Sequence, residues 1–278
     1  MRPATAERVE TSARRSPGLD TGLDTGLDTG LDTGLDTGSP GSTSEDTGMR
    51  VAIVGGNGKT GGAVASGLEQ RGAEAVPLGR AEWPDLAAAM SGCSAAYVVA
   101  PNFHLDEAAY VLHVLEACRA AGVRRVGYHS VAAPFVPEMR HHLGKADAEH
   151  EVRRSGLAWT ILQPGVYLQN FDLTGPVRLP YDAHARFGFL DLADLGRAVA
   201  TVLLEDGHVG ATYELASRVA SVAELAAEAG TTVERVAADP PASMDDRERD
   251  GLLAMFAYYD RYGLPAGTLP LRALLGRV

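Results

Sequence analysis

The chain has little cysteine, no block of basic residues and no long apolar run. Its 278 residues include two cysteines, Cys93 and Cys118, and neither stands in a CxxC or His/Cys ligand spacing. Neither a disulfide framework nor a metal site is therefore predicted. Lone thiols of this kind are typical of the reducing cytoplasm, which is the predicted location.

The same shortages exclude two classes of partner. No apolar run approaches the roughly 18 residues that a membrane-spanning helix needs. The paired Arg14 and Arg15 precede Ser-Pro-Gly rather than the apolar segment of an export signal. The formal net charge is −11, and no basic cluster offers a surface for the phosphates of a nucleic acid. We expect neither a membrane nor a nucleic acid as a partner.

Residues 1–48 are predicted to form a disordered tail. From Leu19 to Gly38 the sequence LDTG is repeated five times, and one leucine in four residues forms neither a helical face nor an alternating strand. An array of calcium loops is the alternative, but the repeat lacks the ligand density of such loops. Met49 directly precedes the first predicted strand, so translation from Met49 is a hypothesis that the intact mass of the native protein tests.

Residues 49–278 are predicted to form one domain, which opens with a strand, a glycine-rich loop and a helix. The glycine spacing GxxGxxG allows a tight exit from the strand, close approach to a pyrophosphate and close packing of the helix. The helix N-terminus would then hold the phosphates. The alternative is a flexible loop in a chain with 32 glycines. The predicted cofactor residues in this loop are Gly55, Asn57, Gly58, Lys59, Thr60 and Gly61.

The residue after the second strand indicates which dinucleotide binds. The strand Glu74–Leu78 is followed by Gly79 and Arg80, where NAD-binding proteins carry an acidic residue for the ribose hydroxyls. Because no carboxylate stands there to repel a 2′-phosphate, Arg80 is predicted to pair with that phosphate. This favours NADP(H) over NAD(H). A solvated surface charge is the alternative for Arg80.

Strands and helices alternate along the rest of the domain, which predicts an α/β fold with a Rossmann-type, doubly wound parallel sheet. An aromatic-rich helix over residues 246–262 is expected in a small C-terminal α/β cap, built largely from residues 165–185 and 212–278. Its aromatic stripe is more typical of core packing than of a ligand wall, and both alternatives stay open. Ser221 and Glu224 have the spacing of a capping box. Further strands are predicted at 95–100, 125–129, 159–163 and 212–215, and helices at 84–90, 106–121, 141–154 and 191–204.

Together these segments resemble the NmrA-like branch of the atypical short-chain dehydrogenases/reductases. The resemblance runs from Met49 almost to the C-terminus. The motifs that carry it are VAIVGGNGKTG at 51–61, Arg80, GVRRVGYHS at 122–130, Lys145 with Glu149, SGLAWTILQPGVYLQN at 155–170, DLADL at 191–195 and TYEL at 212–215.

The resemblance implies a Rossmann domain that binds NADP(H). Members of the family reduce quinones, dyes or enone-like compounds, or only sense the cofactor, and they occur as monomers and as homodimers. Lys145 is implied to touch the nicotinamide ribose. The loops after the third and fifth strands complete the expected cofactor set with Ala100, Pro101, Asn102, Pro164 and Gly165.

Four residues are candidates for the chemistry. His141 stands where the wider superfamily has its proton-donating tyrosine, and an imidazole titrates near neutrality; packing beside His142 is the alternative. Lys145 and Glu149, four residues apart on one helix, could instead form a surface ion pair. Ser130 either bonds an acceptor oxygen or ends its strand. The catalytic candidates are Ser130, His141, Lys145 and Tyr167.

One departure from the family pattern concerns the edge of the sheet. Only three residues separate Arg80 from the helix predicted at residue 84, so the sheet is expected to lack one strand at that edge. Trp83, in this short connection, either covers the adenine or packs at the sheet edge.

The predicted function is an NADPH-dependent oxidoreductase that transfers hydride to a small planar acceptor, such as a quinone or an enone. Asn102, Phe103, Ser130, Tyr167 and the aromatic helix are expected to hold this acceptor. Two alternatives remain open. One is a non-catalytic NADP(H) sensor, favoured by the missing tyrosine, and the other is an isomerase or cyclase built on the same fold.

Overall fold

The computed structural model describes residues 48–277, so the interpretation of residues 1–47 as a tail falls outside the described residues. The strands are β1 (Arg50–Val54), β2 (Glu74–Leu78), β3 (Ala95–Val98), β4 (Arg125–His129), β5 (Ala158–Pro164), β6 (Val166–Tyr167), β7 (Val177–Leu179), β8 (Phe187–Leu190), β9 (Thr212–Leu215), β10 (Arg218–Ala220) and β11 (Val233–Arg235). The helices are α1 (Lys59–Glu69), α2 (Leu86–Ala89), α3 (Glu107–Ala121), α4 (Arg140–Arg154), α5 (Leu192–Leu204), α6 (Val222–Glu228), α7 (Asp246–Tyr262) and α8 (Leu269–Leu274).

The main sheet has six parallel strands in the order β2-β1-β3-β4-β5-β9. This confirms the predicted doubly wound architecture. After β2 the chain makes a 3₁₀ turn at Trp83–Asp85, passes through the four-residue α2 and enters β3 on the other side of β1. Within residues 48–277 no strand lies beyond β2, so the sheet is shortened at the expected edge.

Both faces of the sheet are covered, which explains the continuous apolar runs of residues 51–54 in β1 and of β3. In β1 the side chains of Val51 and Ile53 pack with α1, α5 and α8, while Ala52 and Val54 pack with α2, α3 and α4. All four residues are buried.

Two helices on one face meet through glycines that belong to none of the predicted motifs. A Cβ atom on Gly67 of α1 would lie 2.3 Å from the backbone of Gly196 in α5, and one on Gly196 would lie 2.2 Å from the carbonyl of Ala63. The two helix backbones therefore approach directly. This contact fixes α1, and with it the loop that precedes α1, on the sheet.

The C-terminal cap has its own core, built from β6, β7, β8, β10, β11, α6 and α7. The expected cap range of 212–278 needs two corrections. The strand β9 pairs with β5 in the main sheet, and Leu271 of α8 packs in the core that covers the main sheet. Both segments are drawn to the main sheet because its last strand and its α5 face would otherwise be uncovered. None of the helices in residues 48–277 is both long and apolar enough to cross a membrane.

Candidate functional site

A cavity of about 1530 Å³ opens where the main-sheet strands end, between the sheet and the cap. Typical single-ligand pockets measure roughly 300–1,000 Å³, so this cavity has room for two molecules. It includes the point where the strand order reverses between β1 and β3, which is where ligands bind in open parallel sheets. All the predicted site residues except Gly61 line it: Gly55, Asn57, Gly58, Lys59, Thr60, Arg80, Ala100, Pro101, Asn102, Ser130, His141, Lys145, Pro164, Gly165 and Tyr167.

The glycine loop between β1 and α1 forms one end of the cavity. Gly55 has a φ of +82°, and a Cβ there would lie 2.3 Å from the carbonyl oxygen of Val99. Gly58 is the N-cap of α1, no side chain caps this helix, and its first turn carries no acidic residue. The amide groups at the start of α1 are thus available to an anion. The backbone and charge of this loop fit a dinucleotide pyrophosphate.

Gly61 has the packing role expected of the third glycine, but it does not contact the cofactor space. It is buried in α1 and does not line the cavity. A Cβ on it would lie 2.5 Å from the backbone of Gly56. This corrects its assignment as a cofactor contact: the glycine lets α1 pack directly against the loop.

The loop after β2 also needs a correction. Arg80 is exposed and lines the cavity, as expected, but a carboxylate does lie near it. The chain turns back after β2, and Glu82 Oε2 accepts a 2.7 Å hydrogen bond from the amide of Gly79. This carboxylate is thus bound to the loop's own backbone and is absent from the cavity wall.

Trp83 belongs to an aromatic group beside Arg80. Its ring stacks on Tyr110 at 4.5 Å between centroids and lies 4.7 Å from His113. Trp83 and Tyr110 both line the cavity. The side chain therefore packs against α3 and also forms part of the cavity wall, while its contact with adenine stays a prediction.

The centre of the cavity holds Lys145 of α4 in a buried ion pair. Its Nζ donates to Glu107 Oε1 at 2.8 Å, and Tyr128 Oη donates to the same oxygen at 2.6 Å. The two charged side chains are 12% and 4% exposed. The alternative of a surface pair between Lys145 and Glu149 is wrong, because Glu149 instead pairs with Arg153 at 2.9 Å.

Ser130, directly after β4, is held by that same buried carboxylate of Glu149. Its Oγ donates to Oε1 at 2.5 Å, and Gln163 Nε2 donates to this oxygen at 2.7 Å. Because its hydrogen is committed to Glu149, the Ser130 hydroxyl presents lone pairs to the cavity and acts there as an acceptor.

Tyr167 and the buried His129 form a second polar group at the centre. Tyr167 Oη lies 2.8 Å from His129 Nε2, and Tyr97 Oη lies 2.7 Å from His129 Nδ1. Burial, with a smaller effect from the Lys145 charge, lowers the pKa of His129 to about 3. His129 is therefore a neutral imidazole at pH 7.

His141 does not titrate where it was expected to. Burial, followed by the neighbouring His142 and Lys145, lowers its pKa to about 3. Its ring lies 4.7 Å from that of Phe103 and 4.7 Å from that of His142. Its buried Nδ1 has no hydrogen-bond partner in the described residues. His141 therefore presents a neutral ring at pH 7, which disfavours an imidazolium donor at this position.

These buried imidazoles predict a loss of stability in mild acid. Burial also lowers the pKa of His142 to about 4. On unfolding, each ring takes up a proton between its folded pKa and about 6.5, so stability is full above pH 6.5 and falls as the pH drops toward 4. We expect His142→Gln to reduce the slope of the unfolding free energy by up to about 1.4 kcal/mol per pH unit. Urea unfolding at pH 5 and pH 7 measures this.

The exposed His150 on the same helix is the matched control. His150→Gln should leave the pH dependence close to that of the wild type. Equal slopes for the wild type and His142→Gln would show that His142 is not held neutral in the folded protein.

The far end of the cavity is apolar and aromatic. Phe103 has a φ of +52°, and its carbonyl accepts a hydrogen bond from Arg247 of α7. This fixes the loop after β3 against the cap. The aromatic helix α7 contributes wall residues as expected, with others from the segment after β6. The apolar side chains at this end are Phe103, Val166, Phe171, Leu179, Tyr181, Met255, Phe256, Tyr259 and Leu264.

The cavity residues that were not predicted include Glu107, Tyr110 and His129. Glu107 is the first residue of α3 after the N-cap Asp106, a position that usually indicates only helix capping. His129 lies inside the motif at residues 122–130, which supported the family resemblance. No feature of the sequence indicated a role for His129 itself.

The comparison with known families agrees with this geometry. The family described as NAD(P)H-binding matches residues 63–206, just over half of the chain. The chain belongs to this NAD(P)H-binding family. Its curated relatives include quinone oxidoreductase 2 of Escherichia coli, 29% identical over 171 residues, which are 56% of this chain and 58% of the relative. Another is the NAD(P)H azoreductase of Xenophilus azovorans, 26% identical over 189 residues, 63% of this chain and 65% of the relative. Each alignment thus spans less than two thirds of the relative.

Solved structures confirm the fold expected of an NmrA-like member of this NAD(P)H-binding family. The E. coli NADPH-dependent quinone oxidoreductase in complex with NADPH has a TM-score of 0.66 at 20% identity, covering 81% of this chain and 94% of its own. Citrobacter sp. triphenylmethane reductase has a TM-score of 0.62 at 19% identity, and the match covers 82% of this chain and 95% of the reductase. The negative transcriptional regulator NmrA in complex with NADP has a TM-score of 0.65 at 17% identity, and the match covers 82% of this chain and 91% of the regulator.

Proposed function

We propose that the protein is an NADPH-dependent oxidoreductase that transfers hydride to a small planar acceptor such as a quinone or an enone. The observation that carries this proposal is the continuity of the cavity. One space joins the uncapped start of α1 to an aromatic wall in the cap, with Lys145 and Tyr167 between them. A protein that only bound the dinucleotide would not need the second, apolar end.

At the end of the cavity formed by the glycine loop, the residues bind the dinucleotide. The amides at the start of α1 bind the pyrophosphate. Lys59, whose Nζ donates to Asn170 Oδ1 at 3.1 Å, adds a positive charge where the cap meets the loop. Arg80 binds the 2′-phosphate, and Trp83, which lines the cavity beside it, covers the adenine. Asn57, Thr60, Ala100, Pro101, Asn102, Pro164 and Gly165 complete the proposed contacts of the dinucleotide.

At the centre the residues position the reacting groups. The ammonium of Lys145, fixed by Glu107, donates to the nicotinamide ribose. Ser130 accepts a hydrogen bond from the bound molecules. When bound, NADPH supplies the two electrons as a hydride. The main contribution of the protein is then the proximity and orientation of two flat molecules.

The aromatic end selects the acceptor. Its wall includes Phe103, Phe171, Tyr181 and Phe256, with the neutral ring of His141 beside Phe103. Such a wall favours a flat, uncharged molecule over an anion or a flexible chain. In this proposal residues 49–278 form the catalytic unit, and the cap supplies most of the acceptor wall.

The test follows nicotinamide fluorescence when the full chain is mixed with NADPH, with and without a panel of quinones and enones. Acceptor-dependent decay is the expected result. Saturable binding without decay for every acceptor would contradict the reductase and favour the NADP(H) sensor. Absence of binding would contradict the cofactor assignment and leave an isomerase or cyclase.

Arg80 is expected to set the preference for NADPH. Arg80→Ala removes a charge-assisted hydrogen bond to the 2′-phosphate, which is worth about 1.5–3 kcal/mol. The dissociation constant for NADPH should therefore rise about tenfold to a hundredfold, while that for NADH should stay unchanged. Fluorescence titration with both nucleotides measures this.

Arg124 provides the matched control, because it is exposed, does not line the cavity and precedes β4 at the amino ends of the parallel strands. Arg124→Ala should bind both nucleotides like the wild type. An equal loss of NADPH and NADH affinity in Arg80→Ala would contradict the role in 2′-phosphate recognition.

A further inference from the structure

Three side chains form a hydrogen-bonded row from the interior of the sheet to the cavity. Tyr97 in β3 is fully buried, its Oη lies 2.7 Å from Nδ1 of His129, and Nε2 of His129 lies 2.8 Å from Oη of Tyr167. His129 and Tyr167 line the cavity and Tyr97 does not. The row therefore has one end inside the protein and one end at the centre of the proposed active site.

The buried end determines the direction of these hydrogen bonds. A neutral imidazole carries one hydrogen, so one ring nitrogen donates and the other accepts. In the described part of the chain, His129 Nδ1 is the one partner of the Tyr97 hydroxyl. If Nδ1 carried the hydrogen, the hydroxyl hydrogen of Tyr97 would be buried without an acceptor, at a cost of about 1–3 kcal/mol. Tyr97 therefore donates to Nδ1, and His129 carries its hydrogen on Nε2.

This tautomer acts on Tyr167. His129 Nε2–H donates to the phenolic oxygen of Tyr167, so the hydrogen of Tyr167 is not directed at His129. A hydrogen bond donated to a phenolic oxygen also stabilises the phenolate that remains after proton loss. Tyr167 is thus prepared as a donor at the cavity surface, whereas His141 is neutral and its ring packs on Phe103.

We propose that Tyr167 is the proton donor of the reaction, with His129 and Tyr97 as the residues that position it. This inference rests on the proposed reductase function. Hydride from NADPH forms a C–H or O–H bond on the acceptor, and one electron pair of the acceptor's π system moves to a carbonyl oxygen. Tyr167 O–H breaks and its proton bonds to that oxygen. NADPH becomes NADP⁺, and the phenolate of Tyr167 takes a proton from water as the product leaves.

The kinetic test compares acceptors whose reduction by hydride forms oxygen anions of different basicity. With an enone, Tyr167→Phe should lower kcat about a hundredfold or more, as expected for loss of a general acid. With a quinone, whose reduced oxygen is a weaker base, the loss should be smaller. The solvent deuterium isotope effect on kcat with the enone should fall to near one in Tyr167→Phe. Unchanged kcat with the enone would overturn the proposal.

Tyr97→Phe tests the positioning role, because it changes nothing in the cavity wall. It allows His129 to carry its hydrogen on Nδ1, so that Tyr167 donates to Nε2 instead. We expect kcat with the enone to fall about tenfold, with KM for the enone and NADPH affinity unchanged. Tyr213, whose Oη lies 2.9 Å from His208 Nδ1 outside the cavity, is the matched control. Tyr213→Phe should keep the wild-type kcat.

Long-range ¹⁵N NMR of histidine-labelled protein tests the tautomer without any turnover. The Nε2 signal of His129, assigned with His129→Asn, should show a bound hydrogen at pH 7, and Tyr97→Phe should shift it. A hydrogen on Nδ1 in the wild type would overturn the inference. If the wild type reduces acceptors and Tyr167→Phe is unimpaired, only this inference fails. If the wild type reduces none, the proposed function fails and the inference fails with it.

Discussion

Lys145→Met is expected to weaken both the fold and cofactor binding. The substitution leaves the carboxylate of Glu107, which is 4% exposed, without its counter-charge. Breaking a buried ion pair in this way typically costs about 3–5 kcal/mol. The variant also loses a charged donor to the nicotinamide ribose, so NADPH affinity should fall about tenfold or more. Urea unfolding and fluorescence titration measure the two losses separately.

A second substitution separates the two effects. In Lys145→Met/Glu107→Gln the buried charge is gone, and the glutamine carbonyl still accepts the hydrogen bond from Tyr128 that Glu107 Oε1 receives at 2.6 Å. The double variant should regain most of the stability and none of the NADPH affinity. If the double variant also regained the affinity, Lys145 would have no direct role in binding.

Two adjacent glycines of α1 are expected to respond to alanine in opposite directions. A Cβ on Gly61 would lie 2.5 Å from the backbone of Gly56, and backbone atoms cannot yield as a flexible side chain does. Gly61→Ala should therefore push α1 from the loop and cost about 3 kcal/mol. Because the loop amides move with it, NADPH affinity should fall by about tenfold or more.

Gly62 is the control for helix propensity, since nothing lies within 4 Å of a Cβ placed there. Gly62→Ala should stabilise the protein by about 1 kcal/mol and leave NADPH binding unchanged. Chemical unfolding measures the stability of both variants, and NADPH titration measures their affinity for the cofactor. Tolerance of Gly61→Ala would contradict the close approach of α1 to the loop, and destabilisation by Gly62→Ala would contradict the open space around that position.

Much of the fold could be predicted because burial and helix capping produce recognisable local patterns in the sequence. Strands buried on both faces have continuous apolar runs, and the alternation with helices implies the parallel sheet. The capping box of Ser221 with Glu224 is present at α6. The helix predicted at residues 246–262 has those bounds in the structure, because Asp245 and Glu248 form a second capping box and Gly263 follows its end.

The errors arise where a partner comes from a distant part of the chain. Spacing along α4 suggested Glu149 as the partner of Lys145, but this rule considers only residues of one helix. The carboxylate that reaches Lys145 comes from the start of α3. In the same way, the pKa of His141 depends on burial by Phe103 and His142, which its position in the sequence does not show.

The contact between Tyr97 and His129 could have been found from the register of two strands. Tyr97 in β3 pairs with Gly127 in β4, and His129 is two residues further on the same face. Residues in this diagonal relation are within reach of each other when their side chains are long. Assigning Tyr97 and His129 as neighbours requires the order of the strands in the sheet, which a single sequence does not determine.

The central claim is that this one cavity holds NADP(H), and the lysine content allows a direct test. The chain has only two lysines, Lys59 and Lys145, and both line the cavity. An amine-selective reagent labels these two side chains and the N-terminal amine, and peptide mass spectrometry measures each rate. We predict that saturating NADP⁺ slows labelling of both lysines and leaves the N-terminal amine unchanged. Labelling of both lysines at the same rate with and without NADP⁺ would contradict the account.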